Sequence, residues 1–293
     1  MNLFVKNKYL ILALMALTWG SSFILIKKTL PVFSPLQIGA FRVGFSGVLL
    51  FIVGWRALKN LSKKDLFWLA LTGLMGNFIP LFLVPFAQTR VSSSLTGIIG
   101  ALEPIFALVL GYILFKIPTR SAQVAGAFIG FFGAAVLLYF SDQSHSRNYL
   151  FYTFILILTA LLYAGAALLV QAKLRHVKPV QLSGAIYTLW MLPSLFILTS
   201  TGFFTKTDFQ ATLTWNALAQ LLFLTVISTT LAMLLFYKLI QETTAVFASS
   251  VSFLIPVVAV LWGVLDGEDF VVWYAVGGLL ILIGIYLIRE KRP

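Results

Sequence analysis

Glu103 is the one acidic side chain of this 293-residue sequence that falls deep inside a long apolar run, and Arg42 is the one basic side chain left within such a run, nearer its end. An ionisable group placed in hydrocarbon costs roughly 3 kcal/mol or more, and it is usually kept there because it faces a cavity or a partner. Two chemistries are open to Glu103: it binds a proton coupled to transport, or it pairs with the ammonium group of a substrate. A structural carboxyl, neutral or paired with an arginine, is the third reading. Arg42 lies towards the outer end of its run. Its expected role is anchorage, the aliphatic stem lying in lipid while the guanidinium snorkels to the headgroups. Contact with Glu103 or with a substrate carboxylate is the alternative.

The other polar residues within apolar runs are neutral. They are Trp19, Ser21 and Ser22, then Asn77, then Gln88, Ser92, Ser93, Ser94 and Thr96, then Tyr163 and Gln171, then Thr225, Ser228, Thr229 and Thr230, and last Ser249, Ser250 and Ser252. A single Ser or Thr in such a helix commonly bonds its own backbone. Together, however, these residues gather in the first, third, fourth, sixth, eighth and ninth runs and leave the fifth and tenth nearly bare. That contrast suggests a polar pathway with an apolar wall. The expected substrate contacts are Trp19, Ser22, Asn77, Glu103, Tyr163, Thr229, Ser249 and Ser250, with Trp19 and Tyr163 as the aromatic grips. No phosphate loop, metal-ligand cluster or pair of carboxylates is present, and His145 and His176 both fall in polar connections. The reading is therefore of a non-enzyme without metal or cofactor. With no Cys, disulfides and thiolate sites are also excluded.

The elements that must position these residues are long and apolar. The chain is 60% hydrophobic and only 10% charged, where a soluble domain is about a quarter charged. Ten apolar runs are expected as helices, at 9–28, 36–55, 66–87, 92–115, 121–139, 149–171, 181–202, 215–237, 243–265 and 270–288. Each is near the ~20 residues that cross a bilayer. The net charge of +12 would suggest nucleic acid in a soluble protein; here it sets orientation instead, and no nucleic-acid partner is expected. Of the 21 basic residues, 15 fall on the side of the N-terminus, five on the other and Arg42 within a run. Both termini are thus expected in the cytoplasm. The first run has the basic flank of a signal peptide, but Trp19 stands where small residues would be needed for cleavage.

The second half repeats the first. Leu102-Glu103-Pro104-Ile105-Phe106-Ala107 is answered about 152 positions later by Leu254-Ile255-Pro256-Val257-Val258-Ala259, and Ala16-Leu17-Thr18-Trp19 is answered 144 positions later by Ala160-Leu161-Leu162-Tyr163. Five spans per copy, an odd number, make the copies inverted in the membrane, an arrangement that places a substrate site between them. The expected fold is an all-α integral membrane protein of ten transmembrane helices, in two inverted five-helix repeats (residues 1–140 and 148–293) around a central cavity. Pro104 and Pro256, each in mid-run, are the expected helix bends. Gly126, Gly130 and Gly133 in the fifth run and Gly277, Gly278 and Gly284 in the tenth read as close-packing surfaces, within a monomer or across a homodimer.

Leu17-Thr18-Trp19-Gly20-Ser21-Ser22-Phe23, Arg42 downstream of Pro35, the Glu103-Pro104 segment ending at Gly111, and Ile255-Pro256 followed by Gly267-Glu268 together resemble the EamA-like family of the drug/metabolite transporter superfamily. The likeness covers essentially the whole chain. It departs in one place: relatives commonly carry Gly-Glu after the fourth span too, where this chain has Lys116. The resemblance implies a multi-pass protein of the bacterial inner membrane. It also implies a permease that exports amino acids or related metabolites, with a small-molecule substrate and the lipid bilayer as its partners. An importer or nucleotide-sugar antiporter of the same superfamily, and a non-transporting receptor or scaffold, are the competing readings.

Overall fold

The computed structural model describes residues 7–91, 93–141, 150–265 and 272–288, and these form helices joined by short connections, with no strand among them. In chain order they are α1 (Lys8–Thr29), α2 (Pro35–Asn60), α3 (Lys63–Gln88) and α4, which comes in two pieces, Ser93–Gly100 and Glu103–Phe115. After α5 (Ser121–Ser141), α6 (Leu150–Lys173), α7 (Pro179–Ser200) and α8 (Thr212–Glu242) come α9, also in two pieces, Ala245–Ser249 and Val251–Leu265, and α10 (Val272–Ile288). Six of them, α1, α2, α3, α6, α7 and α8, are long and apolar enough to cross a membrane. The connection between residues 142 and 149, with His145, lies outside the described residues, as do Ser92 and the Gly267-Glu268 pair.

Local sequence explains where the helices begin. Ser34 caps α2, its hydroxyl accepting from the Gln37 N–H while the Gln37 side chain accepts from the Ser34 N–H, and Pro35 supplies a first-turn residue that has no N–H to satisfy. Ser62 caps α3 by accepting from the Asp65 N–H. Large apolar side chains such as Ile52, Phe132, Leu192, Phe196 and Leu279 stand exposed on the outer faces of the helices. In water they would form an aggregating surface; in a bilayer they meet acyl chains.

Two helix pairs run in closest contact: α2 lies along α7 and α5 lies along α10. Both seams are built on glycine, because lipid gives no hydrophobic drive for helix association and close backbone approach must supply the attraction. A Cβ added at Gly126 would stand 2.7 Å from the Gly284 carbonyl oxygen, and one at Gly133 would stand 2.8 Å from that of Gly277. Gly54 sits still more tightly on Gly184 and Thr188 of α7. The glycines of the fifth and tenth runs therefore face each other within the chain. Gly278 differs: a Cβ there would meet nothing within 4 Å.

Inside this frame α1 packs against α8 and α9, and α6 packs against α3 and α4. Two apolar cores form, one containing Leu12, Met15, Leu69, Ile186, Phe236 and Phe247, the other Ile26, Phe33, Phe41, Val84, Leu198 and Leu221. Helix α1 enters the first at Leu12 and Met15 and the second at Ile26, so Trp19, Ser22 and Phe23 lie on the stretch between them. Gly126→Leu is expected to lower stability by about 1–3 kcal/mol through overpacking of the α5–α10 seam, and Gly278→Ala to change it by less than about 0.5 kcal/mol. Thermal unfolding of the detergent-solubilised protein distinguishes the two.

Candidate solute cavity

Helices α3 and α8 each contain a widened π-helical turn, Leu74–Phe78 in the first and Leu224–Leu231 in the second. The cause in α3 is legible. Pro80 has no N–H to return to the Gly76 carbonyl, and the Ile79 N–H reaches back five residues to Leu74 instead. In α8 a run of hydroxyls does the work. Thr229 Oγ1 donates to the Leu224 carbonyl and Thr230 Oγ1 to the Thr225 carbonyl, each at 2.8 Å and each five residues back. These side chains satisfy carbonyls that the wide turn displaces.

Other helices use the carbonyls and side chains so presented. Trp19 Nε1 of α1 donates to the Ser228 carbonyl at 2.9 Å, and its ring meets Phe236 edge-on with centroids 5.3 Å apart. Arg42 Nε of α2 donates to Thr229 Oγ1 at 2.9 Å. Asn77, in the α3 turn, accepts from the Tyr187 hydroxyl of α7 and donates through Nδ2 to the Tyr237 hydroxyl of α8, both at 2.7 Å. On the far side Ser252 of α9 donates to Glu103 Oε2 of α4 at 2.8 Å.

These groups surround one cavity. Its wall takes residues from α1, α2, α3, α4, α6, α7, α8 and α9 and, among the described residues, none from α5 or α10. It offers about 120 Å³ to the centre of a water-sized molecule, where one water needs roughly 10–15 Å³ by that measure. The space suits several waters or one small organic solute. Trp19, Asn77, Glu103, Tyr163 and Thr229 put polar atoms on a wall otherwise built from side chains such as Phe23, Ile26, Leu81, Leu156 and Phe236.

Six of the eight expected contacts, Trp19, Ser22, Asn77, Glu103, Tyr163 and Thr229, line this space. Ser249 and Ser250 do not. Both are fully buried at the break in α9, where their hydroxyls turn back onto the carbonyls of Ala245 and Phe247. The lining serine of that helix is Ser252, a turn further on. Arg42 also departs from expectation. It is 5% exposed, bonded to Thr229 and part of the cavity wall, and does not reach towards an outer interface. The side chain points across the bundle at the α8 turn. Tyr187 and Tyr237 join the site without a signal in the sequence beyond a tyrosine in mid-run. Pro104 stands in the first turn of the second piece of α4, and Pro256 inside the second piece of α9. The α9 break comes at Ser250, more than a turn before its proline.

The sequence profile of the EamA-like transporter family matches the chain twice, over residues 6–139 and again over 150–289. The chain belongs to that family. Similar to this EamA-like protein is a chain from Archaeoglobus fulgidus named an uncharacterized transporter, 26% identical, with 98% of this chain and 100% of that one covered. The uncharacterized transporter YvbV of Bacillus subtilis is 27% identical over 96% of this chain and 91% of its own. Among solved structures, one crystal structure superposes with a TM-score of 0.72 at 17% identity, covering 96% of this chain and 95% of the other. The protein is thus a multi-pass membrane transporter whose fold that structure shares.

The Asn77 amide is the node of the cavity floor, so Asn77→Leu leaves two buried tyrosine hydroxyls without their partner. A loss of roughly 2–4 kcal/mol is expected, read by thermal unfolding in detergent. Ser249→Ala, which removes a hydroxyl bonded only to its own helix, is expected to cost less than about 1 kcal/mol and to leave solute binding unchanged.

Proposed function

We propose that this EamA-like protein is a secondary carrier that moves small organic metabolites by alternating access, and that it exports amino acids or related compounds from the cytoplasm of a bacterium. In this reading both termini are cytoplasmic, the inner membrane is its site, and the ten helices form two inverted repeats with the cavity between them. The observation that carries it is the make-up of the cavity. Its wall is shared by helices of both matched segments, and its polar bonds run from one segment to the other: Trp19 to Ser228, Arg42 to Thr229, Asn77 to Tyr187 and Tyr237, and Ser252 to Glu103.

The pairing of helices supports the repeat. Adding five to each label turns the α2–α7 and α5–α10 seams into themselves, and turns α1–α9, α1–α8 into α6–α4, α6–α3. The π-helical turns obey the same rule, with Asn77 and Thr229 standing 152 positions apart in α3 and α8. Helices α4 and α9, both interrupted, correspond as well. Rocking of one segment against the other about these irregular helices would exchange the cross-segment bonds for contacts with solute or water, while the glycine seams stay closed. Trp19 and Tyr163, at matching places in α1 and α6, grip the solute from opposite segments.

Purified protein in liposomes is expected to show counterflow of labelled amino acids, and Trp19→Ala to lower its rate at least tenfold, the equivalent of about 1.4 kcal/mol of lost interaction. Absence of exchange across a broad metabolite panel, in protein that still unfolds cooperatively, would overturn the carrier reading.

A further inference from the structure

We infer that a second cavity, at the end of the bundle where α4 turns into α5, is a site for an anionic phospholipid whose headgroup ends in hydroxyls, the phosphate being received between Arg120 and Gln171. This cavity shares no lining residue with the central one. The inference therefore does not depend on which solute the protein carries.

The second cavity offers about 340 Å³ to the centre of a water-sized molecule. On one side its wall is α4, the connection after it and the first turn of α5; on the other it is the end of α6 and the start of α9. An occupant thus touches both matched segments. Lys116 ends α4 in the left-handed region, at φ 51°, and the Ile117 N–H returns to the Gly111 carbonyl at 3.0 Å. This tight reversal carries the chain back over the helix end, where Ile117, Thr119 and Arg120 line the space.

Most polar groups of this wall have their acceptors taken and their donors left. Gln171 Oε1 accepts from the Ala245 N–H at 2.6 Å, which fixes the orientation of the amide. Its Nε2 makes no hydrogen bond among the described residues and is not sealed in the interior. Thr244 Oγ1 accepts from the Phe247 N–H at 3.2 Å, so its proton is left to donate. Gln123 Oε1 is taken by the Arg120 N–H at 3.1 Å. Thr119 is the exception: its hydroxyl donates to the Ile117 carbonyl at 3.3 Å and keeps an oxygen that accepts. Arg120 supplies the one formal charge among the described lining residues, and no carboxylate lines the space. Glu242, two residues before Thr244, is paired with Lys238 at 3.7 Å. A guanidinium among neutral donors, with no carboxylate to compete, is the setting that receives a phosphate.

The rest of the wall favours a lipid over a free anion. Ala107, Leu108, Leu168 and Val246 give it an apolar floor. On the turn beside Gly111, α4 carries Tyr112, Ile113 and Leu114, each at least 64% exposed, so the cavity adjoins a face that meets acyl chains. Basic pockets between helices at a membrane face are places where phospholipid headgroups bind. The missing carboxylate also selects the headgroup. The ammonium of phosphatidylethanolamine would find no counter-charge, whereas a glycerol hydroxyl of phosphatidylglycerol has the Thr119 oxygen to donate to.

The test is a thermal-unfolding series on the full chain in detergent micelles containing phosphatidylglycerol or phosphatidylethanolamine, with inorganic phosphate and glycerol phosphate as lipid-free probes. Binding to the folded state raises the midpoint by mass action. Phosphatidylglycerol is expected to act at concentrations tenfold or more below those of the other three. Arg120→Gln should weaken its effect at least tenfold. So should Gln171→Glu, which keeps the oxygen that accepts from Ala245 and turns the free donor into a negative charge. The double variant Lys63→Gln/Lys64→Gln removes two charges from the same end of the bundle but none from the cavity, and should respond as the wild type does. Equal action of the two lipids would overturn the site, as would a wild-type response in both cavity variants or an equal loss in the lysine variant, which marks general attraction to a basic face. Inorganic phosphate or glycerol phosphate acting as strongly as the lipid would overturn the lipid as occupant. If a cavity variant fails to fold, the four probes on the wild-type protein decide alone.

Discussion

A chain in hydrocarbon must satisfy its own backbone, because no water is there to bond a freed carbonyl or N–H. Regular helix is the cheapest answer, and most of this molecule adopts it. Within the ten helices, among the described residues, the departures are the π-helical turns of α3 and α8 and the interruptions of α4 and α9. All four helices line the cavity, whereas α5 and α10, which do not line it, run without interruption. Each departure has a partner at hand. The displaced Ser228 carbonyl is taken by Trp19, and the Leu224 and Thr225 carbonyls are taken by the hydroxyls of Thr229 and Thr230. Irregular backbone is thus placed where its freed groups become part of the site, and the side chains that cover it are the ones that shape the wall.

The same constraint divides the molecule into rigid and labile contacts. At the α2–α7 and α5–α10 seams the attraction comes from many small van der Waals contacts between backbones, which vanish together if the helices separate by an ångström or two. Around the cavity the contacts are a handful of hydrogen bonds between polar side chains or from side chain to carbonyl. Each is worth only about 0.5–1.5 kcal/mol net when water or solute can replace it. A motion that keeps the seams and exchanges the cavity bonds therefore costs little, whereas the opposite division would cost most of the packing energy.

Much of the fold could be read from the amino acids alone. Apolar run length places the helices to within a few residues, since the bilayer sets that length, but not the interruptions of α4 and α9, and the two Leu-x-Pro segments suggest a register in which Asn77 answers Thr229. The site was less legible, for reasons of direction. Arg42 lies close to a run end in the sequence, and snorkelling follows from that position; the side chain points inward because a hydroxyl in α8 awaits it, a fact about a helix 187 residues away. Ser249 and Ser250 share with Ser252 a run of hydroxyls on α9, and a linear reading cannot say which faces the cavity. The break at Ser250 turns the first two onto their own backbone. Tyr187 and Tyr237 carried no flag, because a tyrosine in an apolar run looks like packing until an amide is found between two of them.

Asn77 shows why a neutral residue can matter here as much as a charged one. Its amide is both donor and acceptor, and with Tyr187 and Tyr237 it closes the floor of the cavity without placing a charge there. A carboxylate at this position would add negative charge to a wall that already carries Glu103; an ammonium would compete with Arg42 for an anion. The amide joins one matched segment to two helices of the other and so couples them through neutral groups. The polar set therefore links the segments throughout: Asn77 does so through the hydroxyls of Tyr187 and Tyr237, and Arg42 and Glu103 do so through the hydroxyls of Thr229 and Ser252.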